Sequence, residues 1–185
     1  MLKNLRAGLL LVAMVGCTAS QSGPIEPQQQ VVVTPPVSGV KVSATIAAVT
    51  LGDGCSSGAS CADSNVQIAF NAEAGSNKTS IEVVKATVVD ASSGELVDTL
   101  TSSDPQLWNG NGYAAWDQNV PAGGDLKASY TLSSPDWSKI DGKQTGRSMG
   151  GSYAKSFTLH LTLRIGGVEI ILESSNLHRQ PQFAT

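Results

Sequence analysis

What this chain has little of narrows its nature before any motif is read. Its longest uncharged apolar run, Ala7 to Val15, is about nine residues, whereas a helix needs roughly 20 to span a bilayer, so a permanent transmembrane helix is not expected. No stretch of twelve or more residues repeats its apolar positions at the helical period, which argues against bundles and coiled coils. Charged residues are only 15% of the chain, and their 12 basic members form no stripe that could neutralise phosphates, so nucleic acid is excluded as a partner. With two histidines and three cysteines, no ligand cluster of the kind that holds zinc is spelled out, and no cofactor is expected.

What is there begins with an address. Lys3 and Arg6 precede the apolar run and Gly16 closes it, the three-part layout of a secretion signal. Met14-Val15-Gly16-Cys17 resembles the lipobox of bacterial lipoproteins, with Met14 in place of the usual Leu. The resemblance implies cleavage after residue 16, a diacylglyceryl thioether on Cys17 and acylation of the new amino terminus. Each buried CH₂ contributes about 0.8 kcal/mol, so two or three chains hold such a protein on the membrane where one would not. Thr18 stands where an Asp would favour inner-membrane retention, so the expected place is the outer membrane of a bacterial envelope.

Given that lipid, Cys55 and Cys61 remain as a pair in the turn-rich stretch GDGCSSGASCADS. An oxidising compartment would bridge them, and closing so short a loop stabilises by roughly 2 kcal/mol in the chain-entropy view. A two-thiolate metal or redox site is the alternative, but the spacing is C-x5-C and no second Cys or His group lies near. Loss of Lys3 and Arg6 leaves 10 basic against 15 acidic residues, a net of −5 in the mature chain with His neutral. That balance serves solubility.

The expected organisation is a signal at 1–16, a tether at 17–40, a domain at 41–175 and a flexible tail at 176–185. Pro, Gln, Ser and Gly dominate the tether, and Pro35-Pro36 favours extended polyproline geometry. Val31 to Val33 could instead form an edge strand. Within the domain the apolar period is two. Val42, Ala44 and Ile46 share a face, and the phase slips near Ala48 and Val49, which predicts a bulge. Val66, Ile68 and Phe70 make a second strand, and Ile81 to Val89 reads as a strand buried on both faces or a central one. A turn at Ala91-Ser92-Ser93-Gly94 leads to Leu96 to Leu100, and Leu126, Ala128, Tyr130 and Leu132 alternate with polar neighbours.

The end of the domain is specified best. Gly166-Gly167 suits a two-residue hairpin turn that needs positive φ. Closing it pairs Ile165 with Val168, Leu163 with Ile170 and Leu161 with Leu172 on one face. On the other face Arg164 meets Glu169 and His160 meets Glu173, each opposite-charge pair contributing a few tenths to about 1 kcal/mol. Six to eight such strands predict an all-β, immunoglobulin-like sandwich of antiparallel strands. The stretch Trp116 to Leu132, WDQNVPAGGDLKASYTL, is similar to the strand, turn, strand arrangement of small immunoglobulin-like or fibronectin-type-III-like domains, without the Cys-Trp-Cys pattern of true immunoglobulin domains.

Four features invite a functional reading. Gly146-Arg147-Ser148-Met149-Gly150 matches the G-x-S-x-G elbow of serine hydrolases, but no buried strand precedes it, no helix follows and no Asp comes after Ser148 to complete a triad. It reads as part of a long glycine-rich loop, 134–152, in which Ser134 to Trp137 could form one helical turn capped by Ser134. Asp53, Asp63 and Asn65 offer oxygen ligands for calcium without the spacing of a known loop. Trp108, Tyr113 and Trp116 lie within nine residues, where rings could stack on pyranose faces while Asn109, Asn111 and Asp117 bond hydroxyls. Against that stands the ordinary role of large aromatics, with Trp116 and one more filling the core. The expectation is a non-enzymatic envelope lipoprotein that binds a protein or stabilises an assembly; a glycan-binding module is the alternative, and a hydrolase using Ser148 comes third.

Overall fold

The computed structural model describes residues 41–54, 63–142 and 151–181. Along the chain run β1 (Val42–Thr50), β2 (Ser64–Ala72), β3 (Thr79–Asp90), β4 (Leu96–Leu100), β5 (Ser102–Trp108), β6 (Tyr113–Ala115), β7 (Asn119–Val120), β8 (Asp125–Leu132), β9 (Phe157–Ile165) and β10 (Val168–Leu177). One helical turn, α1 (Ser138–Asp141), and a 3-10 turn at Gly151–Ala154 separate β8 from β9. The elements beyond the six to eight expected are β6 and β7, three and two residues long, too short to leave an alternation in the sequence.

One sheet has the order β1-β2-β8-β5-β6 and the other β10-β9-β3-β4, with β7 paired to the start of β3. All strand pairs are antiparallel. With β4, β6 and β7 set aside, the seven remaining strands fall into sheets first-second-fifth-fourth and seventh-sixth-third, the order of an immunoglobulin-like sandwich. The stretch 116–132 is strand, turn, strand, and its two strands lie in different sheets. β7 pairs with β3 and β8 with β2 and β5, so the Pro-Ala-Gly-Gly turn carries the chain from one sheet to the other.

The inward faces are those the alternation marks. Val66, Ile68, Phe70, Ala128, Leu132, Leu159, Leu161 and Leu163 are fully buried between the sheets. The slip in β1 is a bulge: Ile46 pairs with Ile68, but Ala48 pairs with Gln67, so Ala47 is the extra residue and Val49 returns to the inward row opposite Val66. A second bulge explains the dense run of β3, which is central rather than buried on both faces. Val83 pairs with Leu163 and Lys85 with Thr162, so Val84 is turned outward and exposed while Ala86 and Val88 regain the core.

The final hairpin has the expected register, residue for residue from Val168–Ile165 to Glu173–His160. Gly166 and Gly167 hold φ of 57° and 89°, the left-handed values the turn requires. Arg164 bonds Glu169 at 2.6 Å and also Glu82 of β3 at 2.5 Å, while His160 lies 3.6 Å from Glu173.

Two expectations are corrected. The tail does not fray at Asn176: Leu177 pairs with Phe157 and is buried, and Arg179 forms a bridge to Leu51, with Gln180 N donating to Leu51 O at 2.9 Å. Its polar composition and Pro181 make the segment read as tail, and a left-handed Asn176, φ 58°, breaks the strand alternation ahead of Leu177. Helix formation in the long loop begins at Ser138, not Ser134, because Trp137 is drawn into the core, where its Nε1 donates to Gly52 O at 2.9 Å.

Candidate functional site

Two regions gather functional side chains, and they differ in what surrounds them. The first is the outer face of the five-stranded sheet near the β5–β6 hairpin. Trp108 and Tyr113 occupy opposed positions on that hairpin, so both side chains leave the same face. Their ring centroids lie 5.2 Å apart with planes at 63°, and they are 47% and 43% exposed. Tyr113 reaches across β5 and β8 to accept a hydrogen bond from Gln67 Nε2 of β2 at 2.9 Å. The same outward row holds Gln106, opposite Ala115 and Ser129, and beside it Asn65 Nδ2 donates to Ser129 Oγ at 2.9 Å.

Of the six residues grouped by sequence, four stay together and two leave. Asn109 shapes the hairpin turn, its Oδ1 accepting from the amides of Asn111 and Gly112, each at 3.0 Å. Trp116 is a core residue, packed against Phe70 and Tyr130 with centroids at 5.7 and 6.3 Å, its Nε1 donating to Asn119 O at 3.2 Å. Asp117 belongs to the approach to β7, where its ion pair with Lys78 at 3.1 Å holds its carboxyl below the usual range. Trp116 fills the core as expected of a large aromatic, and Trp137 is a second buried indole.

The second region is one end of the sandwich and centres on a residue that sequence reasoning placed in the tail. Arg179 donates from Nε to Asp53 Oδ1 at 2.5 Å and from Nη1 to Asp141 Oδ2 and Ser152 Oγ, both at 2.6 Å. Its guanidinium lies 4.2 Å from the Tyr153 ring centroid and 5.1 Å from that of Trp137. The hydroxyl of Tyr153 donates to Asp53 at 2.6 Å. Burial pushes the Asp141 carboxyl up, but the amide and hydroxyl of Ser152 and the charge of Arg179 outweigh it and hold the group below its ordinary value. Burial, and then the bond to Asp53, raise Tyr153.

Gly151 makes this closeness possible. A Cβ there would sit 2.4 Å from Asp141 Oδ1, and the residue adopts φ 64°. A cleft of about 420 Å³ opens beside the node, lined by Asp53, Asp63, Asp136, Trp137 and Arg179 among others. The calcium reading is displaced at Asp53, whose carboxylate is taken by Arg179, and Asn65 is turned to Ser129. Among the described residues no group of three or more His, Cys, Asp and Glu is placed to hold a metal ion.

Two signals for this node stand in the sequence: a large Trp137 in a mostly polar loop and Leu177 two residues ahead of Arg179 in a mostly polar tail. Cys17, Cys55, Cys61 and Ser148 lie outside the described residues. His160 sits on the outward face of β9, and the His178 ring lies 3.0 Å from Lys155 O. Comparison with family models, with curated proteins and with solved structures finds no match to this chain.

Proposed function

We propose that this chain is a lipid-anchored protein of the bacterial envelope, in the outer membrane, whose sandwich is a non-enzymatic binding module. Residues 17–40 are the tether, Cys17 is the anchor, and the contact surface is the outer sheet face at Trp108 and Tyr113. The single observation carrying the binding role is that aromatic pair. A large apolar side chain gains about 1.5 to 3 kcal/mol when fully buried, and this domain forgoes much of that at two adjacent positions while fixing Tyr113 through Gln67. Support for a non-enzymatic role comes from the opposite end, where the carboxylates of Asp53 and Asp141 are both spent on Arg179.

The anchor is tested by Cys17→Ser, with incorporation of a clickable fatty acid as the readout. Labelling should vanish and the unprocessed precursor accumulate; undiminished labelling would reject the anchor. Intact mass of the wild-type protein, taken with and without reduction, should differ by two hydrogens if Cys55 and Cys61 are bridged.

A further inference from the structure

We infer that the ligand of the Trp108–Tyr113 face is a neutral glycan, bound with a pyranose ring in the corner between the two aromatic planes; the inference rests on the binding role proposed above. Geometry is the first support. The planes meet at 63° with centroids 5.2 Å apart, so they form an open corner, not a closed stack. Tyr113 is oriented by the bond its hydroxyl accepts from Gln67 on the far side of two strands. A corner of fixed shape suits a rigid ring whose C–H face packs on one aromatic while its rim of hydroxyls points sideways.

The surrounding chemistry is the second support. Around the corner stand Gln67 and Gln106, with Asn109 in the turn and Lys127 on the same side of β8, so amides outnumber charges; Ser129 between them is buried and bonded to Asn65. Such a rim gives donors and acceptors to hydroxyl groups.

Size is the third support. A fully buried aromatic removes about 150–250 Å² from water. Two that are already more than half covered therefore offer roughly 200 Å² between them. One or two sugar rings match that area.

The test uses the mature lipidated protein in detergent micelles, with two probes: peptidoglycan sacculi stripped of protein by protease and boiling detergent, and a soluble β-1,4-linked N-acetylglucosamine tetramer. Wild-type protein should be retained on the stripped sacculi, the tetramer should compete, and tryptophan emission should change saturably on titration with it. Trp108→Ala should weaken retention at least tenfold without loss of the folded far-ultraviolet spectrum, and Trp108→Phe should restore part of it. Retention only on untreated envelope fragments, still dependent on Trp108, overturns the glycan and leaves the binding role standing. Absence of any Trp108-dependent retention on either material overturns both.

Discussion

The molecule uses the same side chains in opposite ways at two places. At the Arg179 end, Trp137 and Tyr153 flank a cation whose hydrogen bonds go to Asp53, Asp141 and Ser152, and Trp137 is nearly inaccessible. At the β5–β6 hairpin, Trp108 and Tyr113 keep nearly half their surface in water. One Trp–Tyr set closes the domain and the other stays half-exposed on an outer face, where we propose that it binds. Burial and partner count, not residue type, separate a structural aromatic cluster from a candidate binding surface.

Truncation should break the comparison hardest at the closed end. A chain stopped after Gly166 loses β10 and uncovers the inward side chains of β9; with about 1.5 to 3 kcal/mol for each large aliphatic, a typical 5 to 15 kcal/mol margin is exhausted. No cooperative melt should be seen by circular dichroism. Stopping after Ser175, which the sequence alone suggests is harmless, should cost several kcal/mol, because it removes the buried Leu177 and the whole Arg179 node. A wild-type midpoint in that shorter chain would mean that the closed end adds nothing.

Arg179→Met isolates the charge. Removing one partner of a buried ion pair leaves carboxylates uncompensated, and with Asp53 and Asp141 partly accessible the expected loss is about 3 kcal/mol by urea denaturation. Acid gives a second reading. Asp141 has its folded pKa lowered from 3.8, so its unfolded state binds more protons in that range. Its contribution is present above that value and is lost as the pH falls through the folded one. Melting midpoints should therefore drop below about pH 4, and drop less steeply in Arg179→Met, where one of the groups holding Asp141 charged is gone.

The open end should respond least. Trp108→Ala removes one aromatic contact on an exposed hairpin and should cost about 1 kcal/mol or less. A loss as large as that of Arg179→Met would show the exposed pair to be structural after all.

Much of the fold was legible along the chain because sheets expose their period. The alternation in β2, β8, β9 and β10 names the buried rows, and the Gly166-Gly167 turn fixes the last register two residues at a time. The bulge in β1 announces itself as a slip in that alternation. In β3 the same device is ambiguous, since adjacent Val83 and Val84 look alike whether a strand is buried on both sides or merely slips by one residue. Candidate sites were legible only as groups of neighbours: Trp108, Asn109, Asn111 and Tyr113 stay together because a hairpin keeps near residues near, and Trp116 and Asp117 leave because the chain turns toward the other sheet.

By itself, then, the sequence determined the all-β class, the inward rows, the turn chemistry and the register of the last hairpin, because each is a local matter of period and backbone angle. Tertiary structure alone decided that β7 crosses to β3, that Arg179 meets Asp53 across 126 positions and Asp141 across 38, and that Trp116 is buried while Trp108 is not. Those outcomes depend on which distant segments compete for the same volume between two sheets. Packing selects among residues that are chemically alike, and a linear pattern carries no record of that choice.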